Sequence, residues 1–388
     1  MRAVRECRAR GSVNRAPKFY RPVWAEIDHR NLKSNFLKIK AELSSKTRIL
    51  AVVKANAYGH GLIPVSRTLS RLGAKFLGVT SIEESLALQS AGIRTPSLIL
   101  ANIFPFSNLA VAVRKGIRVS AASVESALQC EKYAKRLKKK VYVHAKIDTG
   151  MGRVGVNARN ATAFIEKIRS LRSVVLEGIY THFSSAYEDP AATQDQIRIF
   201  TGLLDDLSSR GFDIPYIHDA NSGGIFLYPK AQFSLVRPGI SLYGVWPAPL
   251  KRSLGLRPVL SWKSRIIYLK GVPAGTPISY AGTFITQRPS VIATAAFGYA
   301  DGFRRSFSNK AQVLAGGKRV PVVGRVTMDM TMLDVTDAPG VRVGDEVVIL
   351  GSQGNASLPA EDLARWAETS PYEIFCGIHP RVPRVDIP

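Results

Sequence analysis

From residue 23 to about 250, short, mostly apolar runs alternate with longer stretches whose apolar residues recur at helical spacing. The runs are Ile49–Val53, Phe76–Val79, Ser97–Ala101, Val141–Ala145 and Leu176–Tyr180. A strand with one wet face would alternate apolar and polar side chains. These runs do not, so they belong to a parallel sheet covered on both faces. Between them, Ser81-Ile82-Glu83-Glu84 is a capping box, with Ser81 as N-cap and Glu84 reaching back. Ile197, Phe200, Leu203, Leu204 and Leu207 mark one inward face of a later helix. A stretch of about 230 residues suits a closed (β/α)8 barrel. The alternative is an open doubly wound sheet, but no G-x-G-x-x-G follows the first strand.

Past Leu256 the texture changes. Val259–Tyr268, Val291–Phe297, Gln312–Leu314, Val320–Val323 and Glu346–Leu350 are short strands between Gly and Pro turns, and helical periodicity returns only at Pro359–Trp366. The expected organisation is a basic tail over 1–22, a barrel over 23–256 and a mostly β domain over 257–388. The tail carries seven Lys or Arg against Glu6 and has no apolar core behind those charges. It is therefore not a secretory signal, and a cytoplasmic location is expected. No apolar run is long enough to span a bilayer. Cys7, Cys130 and Cys376 form no C-x-x-C pair, which argues for a reducing compartment and against a metal site. Cys376, after Ile374-Phe375, reads as a small buried hydrophobe. The net charge of +25 is spread along the chain, apart from the tail and Lys132–Lys140, and aromatics are not interleaved with it. That reads as a solvated surface, with neither nucleic acid nor membrane as partner.

Several polar residues fall at strand ends, where barrels place their chemistry. Lys54 follows Val52-Val53 and leads into Ala55-Asn56-Ala57-Tyr58-Gly59-His60-Gly61. It is either a lysine snorkelling at a strand end or a desolvated amine suited to Schiff-base chemistry. The glycines after Tyr58, which let backbone approach a phosphate, favour the second. Lys146-Ile147-Asp148-Thr149-Gly150-Met151-Gly152-Arg153 ends another strand, and Arg153 could simply pair with Asp148. Lone histidines such as His182 and His218 are commonly satisfied core residues. Ser222, Gly239 and Ile240 lie in late loops, the usual phosphate site of a barrel. In the second domain, Tyr280 by itself would be a half-buried strand aromatic.

Taken in order, these motifs resemble those of the alanine racemase family from residue 23 onward. The resemblance implies a pyridoxal 5'-phosphate enzyme of small amino acids, a homodimer with shared sites, supplying D-alanine for cell wall. It implies that Lys54 forms the cofactor's Schiff base and acts as one of two bases. Tyr280, from the partner's β domain, would be the other. It assigns Tyr58, Arg153, His182, Asn221, Ser222, Arg237, Gly239, Ile240 and Tyr372 to the cofactor, and Arg153 and Met328 to the substrate carboxylate. Lys146, His218, Tyr299 and Asp329 would support them, with Lys146 carbamylated in many relatives. An arginine at 237 cannot give the pyridine nitrogen a proton, which would keep the carbanion short-lived. Thr327 stands where many relatives have cysteine, and Tyr187 where an acid is common; both are expected at the mouth. A broad-specificity racemase, a decarboxylase and a non-catalytic carrier of the cofactor are the neighbouring readings.

Overall fold

The computed structural model describes residues 20–246 and 254–388. Nearly all of the basic tail, with Cys7, lies outside the described residues.

Eight strands run in parallel: Arg48–Val52, Phe76–Val79, Ser97–Ile99, Arg118–Ala121, Val141–Asp148, Val174–Tyr180, Tyr216–His218 and Leu235–Val236. From Arg48–Val52 to Tyr216–His218 each pairs with the next in the chain, and Leu235–Val236 returns beside Arg48–Val52. The Arg237 N–H donates to the Ala220 carbonyl at 2.9 Å, joining the last two strands. The result is a nearly closed (β/α)8 barrel, the expected one of the two parallel-sheet folds that the apolar runs allowed. Its helices turn their apolar faces onto the strands: helix Pro190–Ser209, capped by Asp189, buries Phe200, Leu203 and Leu207. The capping box at Ser81 is only half formed. Ser81 Oγ accepts from the Glu84 N–H at 3.1 Å, but the Glu84 carboxylate accepts from the N–H of Thr80 at 2.9 Å.

The mostly β domain is built on one long strand, Leu260–Val272, which pairs with Glu346–Gln353 and Ser290–Ala295. It also pairs with Val23–Asp28, which runs parallel to Arg384–Ile387 on its other edge. The first described strand thus belongs to the sheet of the second domain, at residues where the barrel was expected to begin. An edge of Leu260–Val272 left open to solvent would expose unpaired backbone groups, and the early strand covers it. Asp28 then caps helix His29–Ala41, accepting from the N–H groups of Arg30 and Asn31. That helix stands where an eighth barrel helix would. Among the described residues, the last barrel strand is followed by the turn Ile240–Tyr243, and buried Asn35 donates to the Leu242 carbonyl at 3.0 Å.

A short helix that sequence periodicity did not indicate, Pro371–Gly377, carries Tyr372 back to the barrel. Its inward residues are Ile374 and Phe375. Cys376 is one position further round and is exposed, contrary to the buried hydrophobe expected. Among the described residues, no helix is long and apolar enough to cross a membrane.

Candidate active site

A cavity of about 230 Å³ opens at the carboxyl end of the barrel strands, lined by Lys54, Tyr58, Lys146, Arg153, Tyr180, His182, Asn221, Ser222, Arg237, Gly239 and Tyr372. Residues from several strand ends converge there because every parallel strand delivers its C-terminal residue to the same face.

Lys54 is the first residue after strand Arg48–Val52 and its Val53 continuation. The next four residues turn left-handed, with φ of 53° at Ala55, 55° at Asn56, 54° at Ala57 and 51° at Tyr58. Such a conformation costs roughly 1–2 kcal/mol per residue, so its surroundings must hold it. Asn56 is held at both ends: its N–H faces Glu84 Oε1 at 3.4 Å, and its Oδ1 accepts from the Leu62 N–H at 2.8 Å. The turn continues into Gly59, where a Cβ would lie 2.2 Å from the Phe375 carbonyl oxygen. Gly59 therefore serves contact with helix Pro371–Gly377, and the phosphate-approaching role expected of it falls elsewhere. Burial, and then the charge of Arg153, lowers the Lys54 ammonium pKa.

Arg237 is 4% exposed, its charge held from several sides. Nη1 donates to the His218 carbonyl at 2.8 Å and faces His218 Nδ1 at 3.0 Å. Nη2 donates to the carbonyls of Thr181 and Asp219 at 2.8 Å each, and faces His182 Nδ1 at 3.2 Å. A guanidinium only donates, so both facing nitrogens are acceptors and both imidazoles are neutral. Burial, reinforced by Arg237, pushes both histidines well below their ordinary range. Arg237 itself is brought down by burial to about 10 and stays charged at neutral pH.

Lys146 is 5% exposed, with Nζ 4.8 Å from the centre of the Tyr180 ring. Burial, then Arg237, lowers its amine to about 7, far below an ordinary lysine. Arg153 is exposed beside it. Asp148 does not pair with Arg153, because its carboxylate accepts from the N–H groups of Gly150, Met151 and Gly152.

At the other end of the cavity, Ser222 Oγ accepts from the Gly239 N–H at 3.0 Å and contacts Ser241 Oγ at 3.0 Å. Asn221 caps the turn, its Oδ1 accepting from the Gly224 N–H at 3.0 Å. Here a glycine does serve close approach: a Cβ on Gly239 would lie 2.7 Å from the Tyr58 hydroxyl. Ile240 is buried beneath, and the Tyr372 ring centre stands 5.7 Å from that of Tyr58. Tyr187, expected at the mouth, packs on this cradle instead. A Cβ on Gly223 would lie 2.4 Å from its ring.

Of the second-domain residues, Tyr372 lines this cavity, whereas Tyr280, Tyr299, Met328 and Asp329 do not. Tyr280, Met328 and Tyr299 are 69%, 53% and 42% exposed. They nevertheless share one surface. Ser279 Oγ donates to the Arg325 carbonyl at 2.7 Å, and the Tyr299 N–H to the Thr327 carbonyl at 3.0 Å. Asp329 anchors its loop through Arg381 at 2.7 Å. Sequence reasoning missed Tyr180, the aromatic floor under both Lys146 and Arg237. Its place at the end of a recognised strand was the signal that could have found it.

Comparison with known proteins agrees with this arrangement. The alanine racemase N-terminal domain model matches residues 27–247, and the C-terminal domain model matches 259–386. The alanine racemase of Halothermothrix orenii is 46% identical over 366 residues, covering 94% of this chain and 96% of that one. Alanine racemase 2 of Caldanaerobacter subterraneus is 44% identical over 370 residues, 95% of each chain. The solved alanine racemase of Clostridium difficile superimposes with a TM-score of 0.89 at 36% identity, covering 94% of this chain and 96% of that one. That of Bartonella henselae, solved with covalently bound pyridoxal phosphate, gives 0.86 at 30% identity, covering 94% and 99%. With both domains matched in order and identity sustained over nearly all of both chains, this chain belongs to the alanine racemase family.

Proposed function

We propose that the barrel cavity interconverts L-alanine and D-alanine with pyridoxal phosphate, Lys54 serving one face of the substrate and Tyr280 of a partner subunit the other. The residues present fit the cofactor. The cradle of Ser222, Gly239 and Ile240, closed by Tyr58 and Tyr372, suits a phosphate. Arg237 suits a ring nitrogen that accepts but is not protonated, and Lys54 lines the same cavity. When bound, pyridoxal phosphate supplies an electron-withdrawing ring that acidifies the Cα–H of an attached amino acid.

This chain's own side chains then handle the proton. Lys54, its charge disfavoured by burial, holds or gives up a proton at Nζ on one face. Arg237, charged and clamped by carbonyls, donates a hydrogen bond without yielding its proton. Arg153 meets the substrate carboxylate, and Lys146 in carbamylated form would orient Arg153. Tyr280 would act on the opposite face. Its exposure beside Met328 and Tyr299 supports a face that meets a second copy. Met328 would offer its backbone to the substrate carboxylate. The product would serve cell-wall synthesis.

The observation that carries the reading is the convergence of Lys54, the clamped Arg237 and the Ser222–Gly239 cradle in one cavity. The first test is D-alanine formation from L-alanine by the purified protein, with and without added cofactor, alongside serine, lysine and arginine. Turnover dominated by alanine supports it; cofactor binding with no turnover refutes it. Site sharing is tested by mixing Lys54→Ala and Tyr280→Phe chains. Mixed dimers regain one intact site, so about a quarter of sites recover after subunit exchange. A mixture as inactive as its parents would place Tyr280 in its own chain's site.

A further inference from the structure

Gly178 occupies a place in strand Val174–Tyr180 where a side chain would strike a histidine. A Cβ there would lie 2.4 Å from His144 Nδ1 and 2.8 Å from the Tyr216 carbonyl oxygen. The pairing with strand Val141–Asp148 slips at the same point. Val143 is opposite Leu176 and His144 is opposite Gly178, which leaves Glu177 as an extra, bulged residue. Bulges re-aim side chains, and they are rare between parallel strands. This one accompanies a Glu177 Oε2 that stands 3.3 Å from His144 Nε2. His144 Nδ1 in turn is 2.8 Å from His218 Nε2, and His218 Nδ1 is 3.0 Å from Arg237 Nη1.

The two ends of this chain of contacts admit one order of protons. Arg237 can only donate, so His218 Nδ1 accepts and its proton sits on Nε2. That proton is given to His144 Nδ1, and His144 donates from Nε2 to Glu177, whose ionised carboxylate can only accept. A second proton on either ring would set N–H against N–H, or N–H against the guanidinium. Both histidines are fully buried. His218 stacks on Tyr180 with ring centres 4.7 Å apart, and His144 lies parallel to Tyr216 at 6.1 Å, so neither ring is free to flip. Burial alone would raise the Glu177 carboxyl, but the His144 hydrogen bond and the charge of Arg118 outweigh it and hold it below its ordinary value. Arg118 Nε donates to the same carboxylate at 3.3 Å and closes the chain at its outer end.

We propose that His144 and Glu177 are positioning residues for Arg237. A one-way donor chain, made possible by the bulge and by Gly178, fixes His218 as an acceptor and keeps the guanidinium edge turned to the cavity. The proposal rests on the reading that Arg237 faces the ring nitrogen of the bound cofactor.

The test is the protonation of the two rings in the holoenzyme, read from 15N-histidine chemical shifts, with His144→Gln and His218→Gln to assign the signals. Both rings are expected neutral, with Nδ1 bare and Nε2 protonated. A proton on Nδ1 of either ring, or an imidazolium, overturns the chain. Glu177→Leu removes the terminal acceptor. It should mix the His144 tautomers and lower kcat about tenfold with little change in KM, while Glu177→Gln, which keeps a carbonyl acceptor, retains both. A Glu177→Leu enzyme with wild-type kcat and wild-type 15N shifts also overturns the proposal. The shifts are read without turnover, so failure of the chain and failure of the racemase reading show in different measurements.

Discussion

Asp219 offers a sharp test of how this barrel handles buried charge. Its side chain is fully buried, and neither carboxylate oxygen has a hydrogen-bond partner among the described residues. Burial raises its carboxyl to about 8, against the attraction of Arg237, so the group is neutral in the folded protein at pH 7. In the unfolded chain it ionises near 4. Folding therefore takes up a proton between these values. Because the folded pKa is the higher, Asp219 favours the folded state most at low pH, and that contribution is lost as pH rises from about 4 to about 8. Asp219→Asn keeps the shape and removes the titration. The stability of the Asn variant relative to wild type should climb by about 1.4 kcal/mol per pH unit, or about 2.7 kcal/mol between pH 5 and pH 7, then level off above pH 8. Urea unfolding of both holoproteins at each pH, at one protein concentration, measures it. The constant cost of the buried amide cancels from the slope. A difference that stays flat from pH 5 to pH 8 would mean that the folded carboxyl is already ionised, and would refute the reasoning.

Two other expectations follow from positions beside the site. Gly59→Ala forces a Cβ to 2.2 Å from the Phe375 carbonyl oxygen at a φ of +79°. It should cost at least about 2 kcal/mol of stability and loosen the Lys54 turn, and an unchanged urea midpoint would refute this. Lys146, with its amine brought to about 7, becomes nucleophilic as pH rises through that value. Incubation with 13C-bicarbonate should give a carbamate signal that grows between pH 6 and pH 8 and is absent from Lys146→Met; a signal independent of Lys146 would exclude it as the site.

The sequence by itself determined a parallel sheet covered on both faces, with a barrel favoured over an open doubly wound sheet, because apolar runs at strand length separated by helical periodicities have few ways to bury both faces of a sheet. It also showed which strand ends carry polar residues, and the family resemblance then gathered Lys54, Lys146, His182, His218 and Arg237 into one group. Only the tertiary structure decided what each polar group faces. No local pattern shows that Ala55-Asn56-Ala57-Tyr58 turns left-handed, since four non-glycine residues do so only when contacts such as those of Glu84 and Leu62 repay the strain. Nor does it show that Val23–Asp28 leaves the barrel to pair with Leu260–Ser264 of the second domain, a match made across more than two hundred positions. Glu177 reads as a flaw in an apolar run until the bulge and Gly178 bring it to His144. Periodicity reports which face of an element is buried; the partner across a buried contact is set by long-range packing, which local spacing does not encode.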